Sequence, residues 1–155
     1  MKIRRATIED LGEIQKLNSL LFKKEYNEYD KLLNLDWTLG EKGTSYFKNI
    51  LTNENKCAFV AEAEGNIIGY LAGQISKIKP YRNAPITAEL DNTFVLKEYR
   101  NLDIGTKLYK EFVKWCEEKK VKIIRVQAFA PNTKAINFYH KNGFKDYTLI
   151  LENYL

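Results

Sequence analysis

The 155-residue chain is poor in the residues that staple, ligate or punctuate a fold, with two cysteines, one histidine, one methionine and three prolines. Cys57 and Cys116 lie far apart in sequence, and His140 is the lone histidine, so the set of soft ligands that a structural zinc site needs is missing. Two free, buried thiols are expected, and no metal. Long apolar runs are absent too: Met1-Lys2-Ile3-Arg4-Arg5 leads straight into polar residues, without the apolar stretch of a signal peptide or a bilayer span. A cytoplasmic protein without a membrane partner is the expectation. Ten Tyr, eight Phe and two Trp, set against so little proline, exclude a low-complexity or disordered chain.

What is present fits one packed domain spanning residues 1–155. The net charge of +5 favours anionic partners. The surplus is spread along the chain, apart from Glu117-Glu118-Lys119-Lys120-Val121-Lys122, which reads as a solvated helix end. No helix-turn-helix punctuation, zinc finger or RNP-type aromatic motif accompanies it, so no nucleic-acid partner is expected. A small, multiply charged anion would be attracted equally well.

Periodicity gives a coarse order of elements. Lys2 to Ala6 reads as a strand, and Thr7 with Asp10 three residues on signals a helix start. Leu11, Ile14, Leu17, Leu20 and Leu21 then share one helical face through about Lys24. Residues 25–56 are poorly patterned except for a helix over Ser45 to Leu51. Cys57 to Glu62 and Ile67 to Ile78 form a hairpin around Glu64-Gly65-Asn66, and Ile86 to Leu96 is a fourth strand. Helical spacing resumes at Ile104 with Leu108, Phe112, Trp115 and Cys116. Ile123 to Phe129 is a buried strand, Asn132 caps a helix that ends at Asn142-Gly143, and Phe144 to Glu152 is expected to close the sheet as a strand or hairpin. This is an α/β fold of three layers around a mixed sheet. No edge strand in it announces an interface.

The junction from Val95 to Thr106 carries the most chemistry. A strand that runs into a helix N-terminus leaves several N–H groups pointing into one space, and the helix dipole adds positive potential there. Gly105 lets the backbone approach an anion, and Arg100 adds a fixed charge. An ordinary corner with a solvated arginine fits the same residues.

The stretch from Ala88 to Phe144 resembles the coenzyme A-binding half of the GNAT N-acetyltransferase superfamily. Val95, Arg100 and Gly105 match its Gln/Arg-x-x-Gly-x-Gly/Ala turn after a strand. Asn132, Ala135, Phe138-Tyr139 and Gly143-Phe144 match a second hallmark in the same order. Asp103 departs from the pattern, standing where the family has its first Gly. The resemblance implies a three-layer α/β/α domain with a mostly antiparallel twisted sheet. It implies an acetyl-CoA-binding half over about residues 86–144 and an acceptor-side variable region over about 22–56.

The activity implied is transfer of acetyl from acetyl-CoA, as co-substrate, to a primary amine on a small molecule or peptide, by a monomer or homodimer. The pantetheine arm would lie along Phe94 and Val95. The pyrophosphate would meet Arg100 and the amides of Asn101, Leu102, Asp103, Ile104, Gly105 and Thr106, with Asn132 and Ala135 on the opposite side. Tyr139 is the matched proton donor to the departing thiolate. Amine acetylation also needs a proton acceptor. Asp91 and Glu89 share a strand face by period-two spacing and are the candidates, Asp91 first because many relatives carry a carboxylate there. Both acids equally fit a solvent-facing or charge-binding role. Glu25, Tyr26, Glu28, Tyr29, Asp30, Asp36 and Trp37 bring acids and aromatics to the acceptor side, suiting a cationic amine. A non-catalytic coenzyme A-binding module and a basic nucleic-acid binder are the competing functions.

Overall fold

The computed structural model describes residues 1–155. Its elements follow one another as β1 (Lys2–Arg5), α1 (Leu11–Glu28), α2 (Glu41–Thr52), β2 (Lys56–Ala63), β3 (Asn66–Ile75), β4 (Thr87–Val95), α3 (Ile104–Glu118), β5 (Ile123–Val126) and α4 (Thr133–Lys141). The five strands lie side by side in chain order, antiparallel except for the parallel β4–β5 pair. No helix is long and apolar enough to cross a membrane.

The sheet is coated on both faces, and each coat follows from a helical stripe. Ile14 and Leu17 of α1 and Phe47 and Ile50 of α2 pack with Val60, Tyr70, Ala72 and Phe94 on one side. Ile104, Leu108, Phe112, Trp115 and Cys116 of α3 pack with Phe59, Leu71, Ala88 and Leu90 on the other. Fully burying a side chain of this size stabilises the fold by about 1.5–3 kcal/mol. Cys57 and Cys116 are both free and buried, as expected.

β3 and β5 stop at Ile75 and Val126, three residues short of the ends read from the sequence, and β5 is half-buried instead of buried; two further elements differ from the sequence reading. First, α2 begins at Glu41, a full turn before Ser45, with Gly43 inside it. A Cβ on Gly43 would stand 2.1 Å from the Trp37 carbonyl, so this glycine permits close packing instead of breaking the helix. Second, Phe144 to Glu152 forms no strand or hairpin. Its apolar residues alternate, but no backbone hydrogen bond pairs it with the edge strand β5 or with any other strand.

The start of α1 is tied to the sheet by one carboxylate. Arg4 Nη1 and Nη2 donate to the two oxygens of Asp10 at 2.7 and 2.8 Å, while Arg4 Nε donates to Glu62 at 3.0 Å. The Thr7 amide donates to Asp10 at 2.8 Å. The Arg4 hydrogen bonds hold the Asp10 carboxyl below its ordinary pKa against the opposing effect of burial. A lowered folded pKa stabilises the fold fully above the unfolded carboxyl value of about 4, and that contribution is lost as pH falls through the folded value. Asp10→Asn should therefore cost about 2 kcal/mol at neutral pH, and the gap to the parent should close on acidification. Urea unfolding at several pH values checks this; a gap that stays constant into acid would show that the charge is not its source.

Candidate active site

The site is set by where two strands part. Pairing of β4 with β5 ends at Leu90 with Val126, whereas β4 remains paired to β3 as far as Val95. Residues 91–95 therefore border a gap. Opposite Ala72 and Gly73 the β4 register slips by one residue, making Asp91 a bulge. The bulge places Asp91 and its neighbour Asn92 both on the α1/α2 side, where Tyr46 Oη donates to Asp91 at 3.0 Å and Asn18 Nδ2 to Asn92 at 3.4 Å.

Asp91 also accepts from Gln74 Nε2 at 2.9 Å, and both donors use the same oxygen, Oδ2. Burial raises its pKa, partly offset by these hydrogen bonds. Glu89 is exposed and lies opposite Arg125, where β4 and β5 are still paired, so it stands before the gap.

Thr93 points the other way, toward α4. Its hydroxyl is buried beside Tyr139 and has no hydrogen-bond partner. Tyr139 packs edge-on to Phe138 and Phe144, at centroid distances of 5.3 and 5.4 Å. Burial pushes its phenol up to about 12, which keeps the hydroxyl protonated through the neutral range.

A cavity of about 600 Å³ spans the gap, within the usual range for small-molecule sites. Phe94, Leu96 and Arg100 form one wall, Pro131, Thr133 and Lys134 the other, and Leu20 and Lys24 of α1 and Tyr29 just past its end lie across it. Lys24, Lys97, Arg100 and Lys134 face it against only Glu28 and Glu98, so it favours an anion. Tyr29 stacks on Phe129 at 5.6 Å, bridging α1 to the chain beyond β5.

Below the gap, the turn into α3 has Asn101 at φ 62° and Asp103 at φ 56°, a left-handed region that Asn and Asp tolerate better than most residues. From Asn101 to Thr106, six successive amides have no protein acceptor. The Asp103 carboxylate makes no capping bond to them. Gly105 is not in a left-handed conformation; a Cβ there would sit 3.3 Å from the Phe138 ring, so its smallness seats α4 against α3. Arg100 folds back, Nε donating to the Val95 carbonyl at 2.8 Å with its guanidinium 5.3 Å from the Phe94 ring centre. Asn132 caps α4, its Oδ1 accepting from the Ala135 amide at 3.2 Å, which leaves Nδ2 free to donate.

Sequence reasoning placed Glu25 only among acceptor-side acids. It lies one turn beyond Leu21 and one before Tyr29, on the face of α1 that crosses the gap. Burial raises its pKa, and its charge is felt by both Tyr139 and Tyr70. The four-residue spacing was visible; what it crossed was not. Thr93 had no sequence signal, because only its missing partner marks it.

Unpaired amides at a helix start, an unpartnered hydroxyl in a split between strands and a basic cavity together fit a long phosphorylated ligand threaded through the sheet. The acetyltransferase (GNAT) family matches residues 13–144, so the chain belongs to that family and is an acetyltransferase. It is 27% identical over 158 residues to an N-alpha-acetyltransferase of Sulfurisphaera tokodaii, covering 99% of this chain and 85% of that one. Its fold is similar to a mutant of the BH1408 protein from Bacillus halodurans, with a TM-score of 0.86, 20% identity and coverage of 100% and 99%. It is also similar to the aminoglycoside N-acetyltransferase AAC(6')-Iy bound to a bisubstrate analogue, CoA-S-monomethyl-acetylneamine, with a TM-score of 0.77, 17% identity and coverage of 99% and 97%.

The Asn132 cap gives a direct check of how α4 is positioned. Asn132→Ala should lower stability by about 1 kcal/mol, whereas Asn132→Asp retains an acceptor and should lose far less. Urea midpoints at unchanged slope read the difference. Equal midpoints for the two variants would remove the cap from the account.

Proposed function

We propose that this protein transfers an acetyl group from acetyl-CoA to a primary amine by direct attack in a ternary complex. The observation that carries the reading is the open edge of β4 from Asp91 to Val95, leading into a basic cavity. The main chain of Phe94 and Val95 and the free Nδ2 of Asn132 would hold the pantetheine arm between them. The amides of Asn101 to Thr106 would take the pyrophosphate together with Arg100, whose two terminal amino groups have no protein partner. Asp103 brings a like charge to that cradle.

The two sides of β4 divide the acid–base work. An amine entering from the α1/α2 side meets Asp91, whose Oδ1 is left free by Tyr46 and Gln74 and is suited to accept its proton, directly or through water. Tyr139 stands on the α4 side with a hydroxyl that stays protonated, suited to donate to the sulfur as the carbon–sulfur bond breaks. Glu25 and the aromatics Tyr26, Tyr29 and Trp37 suit a cationic acceptor. The relatives' names point to peptide α-amines and aminoglycosides as the classes to screen first.

Calorimetric titration with acetyl-CoA, followed by an amine screen that reads thiol release, tests the proposal. No binding would sink it, and binding without turnover on any amine would leave a coenzyme A-binding module. With a competent acceptor, Tyr139→Phe should lower kcat about 10²-fold or more while the acetyl-CoA affinity stays nearly constant. Since the acceptor carboxylate must be ionised, activity should fall as pH drops through the raised pKa of Asp91. Asp91→Asn should lower the rate and erase that acid limb; if Glu25→Gln erases it instead, the acceptor is Glu25.

Asp103→Gly relieves the left-handed backbone and loses no cap bond, so its melting temperature should stay close to the parent's. Removing the charge should tighten acetyl-CoA binding by about 1 kcal/mol at low salt and by less at high salt. Weaker binding at every salt concentration would show that Asp103 orders the turn.

A further inference from the structure

Thr93 brings to the gap a hydroxyl that the acid–base chemistry above leaves idle. Register sets its place. It pairs with Leu71 of β3, so it lies on the face of the sheet that α3 covers, and it stands past Leu90, where β4 has lost β5. Among the buried side-chain polar atoms without a hydrogen-bond partner, Thr93 Oγ1 is the one that lies on β4. Burying a hydroxyl unpaired is unfavourable, and a valine of nearly the same shape would avoid the cost.

What this hydroxyl faces is Tyr139. The Tyr139 ring packs against the same apolar cluster as Leu71, with Phe138 and Phe144 edge-on to it. The two hydroxyls stand close without completing a hydrogen bond. Burial raises the phenol, and Thr93 opposes it by lowering the phenol. That direction is the effect of a donor, because a hydroxyl that donates to the phenol oxygen favours the phenolate. Among the titratable groups around the phenol, Glu25 of α1 is the one whose charge it feels, and that charge works against a phenolate. Tyr109 of α3 meets Tyr139 only through the Phe144 ring, and Asp91 lies on the opposite face of β4.

We propose that Thr93 is the positioning residue of the proton donor: its hydroxyl donates to the Tyr139 phenol oxygen and leaves the phenol's own proton free to point at the sulfur. The inference rests on the role proposed for Tyr139 above. As the carbon–sulfur bond of acetyl-CoA breaks, the phenol O–H bond breaks and an S–H bond forms, leaving a phenolate among aromatic rings that cannot solvate it. Thr93 then completes its hydrogen bond to that oxygen until water returns the proton. A donor held unpaired until charge develops has no earlier bond to break, and an interaction made only at that stage acts on turnover and not on binding.

Thr93→Val keeps the branched shape and removes the hydroxyl. It should melt at or above the parent temperature, since an unpartnered buried group is lost. With a competent amine it should lower kcat about tenfold or more while the KM for acetyl-CoA stays nearly constant, and Thr93→Ser should recover most of the rate. In a Tyr139→Phe background Thr93→Val should cost nothing further, because the oxygen it serves is gone. Fluorine NMR of protein carrying fluorotyrosine gives a readout independent of turnover: the Tyr139 resonance, identified by its loss in Tyr139→Phe, should titrate at higher pH in Thr93→Val than in the parent. If Thr93→Val lowers the rate equally in both backgrounds, or leaves kcat and the phenol titration at parent values, the inference is overturned while Tyr139 keeps its role. A Tyr139→Phe variant as active as the parent removes the proton donor, and this inference with it.

Discussion

The active site depends on β4 keeping one neighbour while losing the other. Antiparallel pairing with β3 holds the strand straight to Val95, and parallel pairing with β5 stops at Leu90. The backbone groups on the open side are left without a protein partner, which is costly unless water or a ligand meets them. The bulge at Asp91 decides what faces the opening. In a regular strand Asp91 and Thr93 would share a face; with one residue inserted, Asp91 turns toward Tyr46 and Thr93 toward Tyr139. A carboxyl and a phenol thus reach one gap from opposite sides of one strand. Gly73, across from the bulge, makes room for it, since a Cβ there would stand 2.7 Å from the Glu89 carbonyl and 2.5 Å from the Phe112 ring.

The side of the gap formed by α1 is held by buried polar groups instead of apolar contact alone. Asn18 is fully buried and donates to the Tyr70 hydroxyl at 2.8 Å, while its Oδ1 accepts from Thr38 at 2.7 Å. Gln15 donates to the Thr38 carbonyl at 2.7 Å and to the Thr44 hydroxyl at 2.9 Å. Such a network favours one placement of its members, because sliding α1 by a turn would strand several polar groups in the core. Glu25 lies on the same helix two turns beyond Asn18, and Tyr29 caps its end one turn further on. The position of the roof over the cavity is therefore fixed by contacts more than 10 Å away along the helix axis, at about 1.5 Å per residue.

Side-chain patterning made the sheet and its two coats legible. The stripes of α1 and α3, the hairpin of β2 and β3 and the turn from Val95 to Thr106 all lie where the periodicity and the family resemblance put them. What stayed hidden depends on pairing or contact between distant segments. The bulge exists only relative to β3, and so does not show in spacing; Asp91 and Glu89 share the face that period-two spacing gave them, and what sets them apart is the pairing with β5, which still covers Glu89 and ends at Leu90. The first turn of α2 stayed hidden because the close approach of Gly43 to the Trp37 carbonyl cannot be read from spacing. Asp103 departs from the family's turn, and its backbone is left-handed, a region that Asp tolerates; its carboxylate makes no capping bond.

The residues after Phe144 show the limit of pattern most clearly. Alternation at Tyr147, Leu149 and Leu151 is a strand signal, and it reports that one side of an extended segment is apolar. It says nothing about whose backbone completes the ladder. The sheet ends at β5, a strand of four residues with no coat on its outer edge, and an apolar segment beside it has no ladder of its own. Both features are unfavourable in a lone chain, one for its open edge and the other for its exposed side chains.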